Sequence, residues 1–318
     1  MIGQILPVVG QAALLVLLAP LITGVSRTMK ARLQTRRGPG ILQPYRDLRK
    51  LLRKGTVVPE TASWIFSATP YVLFATTLLA GLLIPTVMAA APLSLLGGVL
   101  AVVYLLALGR FFLALAGLDT GSSFGGLGSS REMTISAIAE PALMLAVFTV
   151  ALGAGSTNLS TMAQAAVGQS WRFLAPSQML AFAALFIVLI AETGRIPVDN
   201  PATHLELTMI HEAMILEYSG PPLAFIEWSA SMKQLILMTL LVNVFFPYGL
   251  SVDFSPAGIL VSVGLFVAKL LLLACAVVLV ETGNAKLRLF RVPELLALAF
   301  VLSALALIST FLFGGSQA

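Results

Sequence analysis

A single cysteine, Cys275, stands in a chain of 318 residues. One thiol can neither close an internal disulfide nor hold an iron–sulfur cluster by itself. It lies in an apolar segment and reads as a small packing residue. Any redox cofactor must then sit in another subunit. Charge is scarce as well, at 10% of residues against 58% hydrophobic. Soluble domains carry about 25% charged residues, so with a mean hydropathy of +0.97 the chain reads as an all-α, polytopic membrane protein. No recognition module accompanies its basic residues, which excludes nucleic acid as a partner. The Gly-rich run GGLGSS at 125–130 lacks the lysine of a phosphate-binding loop. No nucleophile–base constellation is present, so no catalytic residue is assigned. His211-Glu212 is not followed by a second histidine four residues after the first, and no metal site is assigned either. There is no internal repeat of the kind that marks inverted-repeat transporters. The first apolar stretch has no charged residue before it, which predicts a retained helix rather than a signal peptide.

What is present is a series of apolar runs near the length of about 20 residues that spans a bilayer core. They fall at 4–26, 69–90, 93–116, 133–153, 178–194, 223–246, 257–281 and 293–313. The expectation is about eight transmembrane helices in a single integral membrane domain, 1–318. Ten of the nineteen Lys and Arg lie between Arg27 and Lys54. Loops on alternate sides carry basic residues in a ratio of fifteen to one, Arg172 being the exception. The positive-inside rule places the basic loops in the cytoplasm and leaves both termini outside, in a cell (inner) membrane. The Gly- and Ser-rich stretch 117–130 reads as a flexible or re-entrant turn. Tyr45 to Lys54 alternates basic and apolar residues at helical spacing, Leu48, Leu51 and Leu52 forming the apolar stripe. That predicts a cytoplasmic amphipathic helix lying on lipid headgroups or docking a soluble partner.

Ionisable groups within the apolar runs are the sharpest signals, since each costs a few kcal/mol, about 2.5–3.5, at the bilayer centre unless paired or hydrated. They are Glu140, Glu192, Glu227, Lys233, Lys269 and Glu281, with Glu132 and Asp119 at the basic edge. Glu132, Ser136 and Glu140 are four residues apart and share a helical stripe. Together these groups suit a hydrated proton or ion path; the alternative, for Glu140 and Lys269 and more so for Glu192 and Glu281 near helix ends, is a structural ion pair or a snorkelling side chain. Lys269 has no carboxylate near it in sequence and calls for a partner from another helix or subunit. The basic loop 27–68 is followed in the chain by an acidic one, 195–222, with Arg195, Asp199, Glu206, Glu212, Glu217, Tyr218, His204 and His211. Pro197 and Pro201 stop the helix there and shape the loop.

The motifs RRGPG at 36–40, GLDTGS at 117–122, SRE at 130–132, AETGRIP at 191–197 and EYSG at 217–220 occur in an order that resembles the complex I subunit 1 family. The resemblance is to the branch found in membrane-bound, energy-converting nickel–iron (NiFe) hydrogenases of the formate hydrogenlyase and hydrogenase-4 type, and it covers nearly the whole chain. It implies a non-catalytic membrane anchor beneath a soluble redox arm, coupling electron transfer to proton or sodium movement. The implied partners are hydrogenase large- and small-subunit-like proteins, a ferredoxin-like iron–sulfur subunit and antiporter-like membrane subunits. The NiFe centre and the iron–sulfur clusters would belong to those partners. Arg131 and Glu140, Glu192 and Arg195, then Asp199, Glu206, Glu217, Tyr218 and Glu227 match the family's charged positions. Arg36, Arg37, Gly38, Pro39, Arg46 and Arg131 are the expected docking residues. Quinone-reducing members usually carry Pro-Phe-Asp and a run of Glu. This chain has Pro197-Val198-Asp199, then Ala202 and His204, and about three extra residues before Glu217. A bound quinone is therefore not the favoured implication. The alternatives are a complex I-like oxidoreductase without a NiFe site and a stand-alone ion transporter.

Overall fold

The computed structural model describes residues 2–167, 175–199, 209–251 and 256–314. Eleven α-helices are seen among them: α1 (Ile2–Leu33), α2 (Gln43–Leu52), α3 (Trp64–Leu83), α4 (Val99–Asp119), α5 (Ser123–Ala154), α6 (Leu159–Val167), α7 (Pro176–Glu192), α8 (His211–Ile215), α9 (Gly220–Phe245), α10 (Pro256–Gly283) and α11 (Val292–Gly314). Seven of them are long and apolar enough to cross a bilayer, and α7 is a shorter apolar helix. The chain is a polytopic all-α membrane protein. Helix α9 runs through the middle, with every residue from Gln234 to Phe245 buried. Around it stand α1, α3 and α7; α4, α5 and α11 complete one side, and α10 leans on α1.

Two sequence expectations change. The run 69–90 is helical only as α3, which starts and ends earlier. Ser63 caps its start by accepting from the Ile65 N–H, and Pro85 disfavours a helical Ile84, so the helix stops at Leu83. The stretch 117–130 is not a flexible turn: α5 begins at Ser123, and the connection is only Thr120 to Ser122. Its small residues are a helix-contact surface. A Cβ on Gly125 would stand 2.2 Å from the Gly117 carbonyl oxygen, and Ser129 donates to the carbonyl oxygen of Ala114 at 2.9 Å. In membranes, small residues of this kind let backbones approach closely.

Prolines inside the helices free carbonyls that lipid cannot satisfy. Pro70 in α3 removes the donor to the Phe66 carbonyl, and the Tyr218 hydroxyl supplies it at 2.9 Å. Pro20 in α1 does the same to Val16, and the Trp228 indole N–H fills that gap at 2.9 Å. One residue on, the Tyr45 hydroxyl of α2 donates to the Leu17 carbonyl, which ties the amphipathic helix to α1. Where α3 ends, Gln11 donates to the carbonyls of Gly81 and Ile84, both at 2.7 Å. Tyr218→Phe and Trp228→Phe should each lower stability by about 0.6–1.7 kcal/mol, the span measured for side-chain hydrogen bonds in a membrane protein. The thermal midpoint of the purified complex reads this directly.

Candidate functional site: two adjoining ion-pair clusters

The first cluster is centred on Arg110 of α4. Its Nη1 lies 2.7 Å from Glu140 Oε1, its Nη2 2.6 Å from Glu192 Oε2, and its Nε 3.7 Å from Glu132 Oε1. Lys233 of α9 reaches the same Glu192 oxygen at 2.7 Å. Four helices, α4, α5, α7 and α9, thus deliver one charged group or more each. The Arg110 and Glu192 side chains are only 7% and 4% exposed, so the charges are solvated mainly by one another and are kept from lipid. The planar guanidinium fork suits this task, because it can address two carboxylates at once. Arg110 is absent from the residues that the sequence reading singles out. Its signal is there, a basic residue inside the apolar run 93–116, and it carries the same warning as the acids of the other runs.

The second cluster is centred on Glu281 near the end of α10. Arg195 Nη1 stands 3.0 Å from Oε1 and Lys30 Nζ 3.4 Å from Oε2, the latter without hydrogen-bond geometry. Arg195 Nη2 also donates to Gln234 at 2.8 Å. The clusters share their scaffold. Glu192 and Arg195 flank one turn, and Lys233 and Gln234 are neighbours on α9. The turn closes α7 through bonds from Gly194 N to Ala191 O and from Arg195 N to Ile190 O, both 3.1 Å. That pairing needs a left-handed residue, and Gly194 has φ +58°. The glycine thereby sends Glu192 to one cluster and Arg195 to the other.

A cavity of about 260 Å³ opens onto the second cluster, with Arg27, Lys30, Asp47, Glu212, Glu227 and Glu281 in its wall. A smaller one of about 80 Å³ holds Arg110, Glu132, Glu192 and Lys233. Thr193, Gly194, Asp199, His211 and Ala230 line both. Each has room for water beside polar groups.

The other expected residues fall elsewhere. The Ser136 hydroxyl bonds back to the Glu132 carbonyl at 2.7 Å, so Glu132 and Glu140 meet through Arg110 and not through Ser136. Lys269 stands apart from both clusters. It donates to Asn243 Oδ1 at 3.1 Å and to the Phe246 carbonyl at 3.0 Å, where α9 ends, and Asn243 holds the carbonyls of Pro85 and Thr86. Its partner comes from another helix, as expected, and is a helix end, which favours a cation. Asp199 is buried, bonded to Lys286 at 2.8 Å and to the Ile210 N–H at 3.1 Å. Arg131 is turned inward and donates to the Met209 carbonyl at 2.8 Å. Arg36, Arg37, Gly38, Pro39, Arg46 and Glu217 are exposed. Tyr218 is buried and stacked on Phe66, and burial raises its phenol well above the usual value. Glu206, His204 and Arg172 lie outside the described residues. Among the described residues, no group of three or more His, Cys, Asp and Glu could hold a metal.

A family model described as NADH dehydrogenase matches residues 6–312. The chain belongs to this family. Among its relatives, formate hydrogenlyase subunit 4 of Escherichia coli (strain K12) is 36% identical over 299 residues, 94% of this chain and 96% of that one. Hydrogenase-4 component C of the same organism is 37% identical, covering 93% and 92%. A further relative, an NADH-quinone oxidoreductase subunit of Rhodospirillum rubrum, is 30% identical over 79% of this chain and 74% of that one. The fold of the family is seen again in a chain of the membrane-bound sulfane sulfur reductase, an archaeal respiratory membrane complex. The TM-score is 0.84 at 20% identity, over 96% of this chain and 99% of that one.

Proposed function

We propose that this chain is the membrane anchor and coupling subunit of an energy-converting, complex I-like hydrogenase of the formate hydrogenlyase type. The observation that carries this is the pair of adjoining ion clusters, which run from a cavity of about 260 Å³ at the basic end of the bundle to Glu140 on α5. Two relatives that align with more than nine-tenths of the chain are subunits of formate hydrogenlyase and hydrogenase-4. The protein partners are then the other members of such a complex: hydrogenase large and small subunits, an iron–sulfur subunit and antiporter-like membrane subunits. A NiFe centre and iron–sulfur clusters need several cysteine ligands, and this chain offers only Cys275, so they belong to the partners.

The basic end faces the cytoplasm by the positive-inside rule. The exposed Arg36, Arg37, Arg46, Arg49 and Lys50 there offer a cationic platform to the soluble arm. A proton or sodium ion enters at Glu212, Glu227 and Asp47, crosses the wall around Gly194 and His211, and reaches the Arg110 cluster. This chain's own part is to hold and pass the ion.

The test is Glu140→Gln in the whole complex, reconstituted into sealed vesicles. The exchange keeps size and hydrogen bonding to Arg110 but removes the charge. Complex yield should stay near wild type, while ion uptake per electron falls tenfold or more. Uptake at the wild-type ratio would take Glu140 off the path.

A further inference from the structure

Pro141 lies inside α5 and has no N–H, so the Ala137 carbonyl loses the donor a helix would give it four residues on. At Phe66 and Val16 an aromatic O–H or N–H fills the equivalent gap. At Ala137 no described side chain does. Ala137 and Pro141 are exposed on the same stripe of α5 as Ser130 and Thr134. Glu140 borders that stripe. Its Oε1 accepts from Arg110, no described group donates to Oε2, and its side chain is 32% exposed.

This stretch belongs to a helix of membrane-crossing length and hydropathy. Glu140 sits about 10 Å beyond Met133, where the apolar run begins, at 1.5 Å per residue. Acyl chains can neither donate to a carbonyl nor solvate a carboxylate. The cluster behind it also carries more acid than base: Glu132, Glu140 and Glu192 face Arg110 and Lys233. A surface left with one uncompensated carboxylate, and with one carbonyl that has lost its helical donor and that no described side chain reaches, calls for a donor from outside the chain. Thr134, Ala137 and Pro141 are small enough for a second backbone to come close.

We infer that a transmembrane helix of a second membrane subunit packs along Ser130–Pro141 and sets a hydrogen-bond donor, a hydroxyl, amide or ammonium side chain, against Glu140 and the Ala137 carbonyl. This rests on the proposed role in a multi-subunit membrane complex and names the contact at the outer end of its ion path.

The experiment uses the intact complex with Cys275→Ser and Ala137→Cys, labelled with a short photoreactive maleimide and illuminated in the membrane. Thr134→Cys, on the same stripe, is the second variant should Ala137→Cys fail to assemble. The expected adduct is a peptide from an apolar segment of a different subunit, with a donor side chain within one helical turn of the linked residue. Adducts with lipid alone, with a second copy of this chain, or with a helix apolar throughout that turn overturn the inference. The two readings fail separately. A donor-bearing adduct together with wild-type coupling in Glu140→Gln would keep the contact and remove the ion path. Lost coupling with lipid-only adducts would do the reverse.

Discussion

Arg110→Leu is expected to strip most of the assembled complex from the membrane. The side chain is 7% exposed and holds Glu140 and Glu192 at 2.7 and 2.6 Å. Without it, three carboxylates share one ammonium, that of Lys233. Removing one partner of a buried ion pair costs about 3–5 kcal/mol, against a total stability of about 5–15 kcal/mol for a folded protein. Arg110→Lys should behave differently. It keeps the charge, and with it assembly, but a single ammonium cannot present two parallel donors to two carboxylates. Complex yield near wild type with impaired ion uptake is the expected result there. Immunoblot quantitation of the complex in membranes, followed by ion uptake per electron in vesicles, separates the two variants. A wild-type amount of complex with leucine at position 110 would show that Arg110 is not the keystone of the cluster.

The architecture is largely legible in the sequence because hydropathy over a helix length is a local property. The eight apolar runs, the amphipathic Tyr45–Lys54 segment and the family resemblance need only neighbouring residues. What is not legible is what depends on distant partners. Gly117, Gly125 and Ser129 look like loop residues until two helices are known to touch there. Tyr218 reads only as part of the acidic loop, and Trp228 carries no signal, until the prolines they compensate, 148 and 208 positions earlier in the chain, are in view. Glu132 and Glu140 share a stripe, as their spacing predicts, yet the group that joins them comes from α4. Lys269 reads as part of the path on chemistry alone. Its depth in α10 beside the end of α9 sets it apart from the carboxylates. Intramembrane charge marks where polar contacts are made, and only the fold says whether they make a chain or a cap.

Glu281 offers the second large effect, and it asks which of its two cations it serves. The carboxylate is buried between Arg195 at 3.0 Å and Lys30 at 3.4 Å. Glu281→Gln leaves both cations facing a neutral amide inside the bundle. The loss should approach the about 3–5 kcal/mol of a broken buried pair and appear as a fall of several degrees in the thermal midpoint of the complex. The two partners are not equivalent. The Arg195 side chain is 14% exposed and that of Lys30 27%, so Lys30 can turn part of its charge to water while Arg195 cannot. A double-mutant cycle of Glu281→Gln with Arg195→Gln should therefore give the larger coupling, and the cycle with Lys30→Gln the smaller. Raising the salt concentration should shrink the Lys30 coupling first, because screening reaches exposed charges before buried ones. Equal couplings would mean that water reaches both cations alike through the large cavity. The second cluster would then be an evenly hydrated basin rather than a clamp, wet on its Lys30 side, holding α10 to the turn after α7.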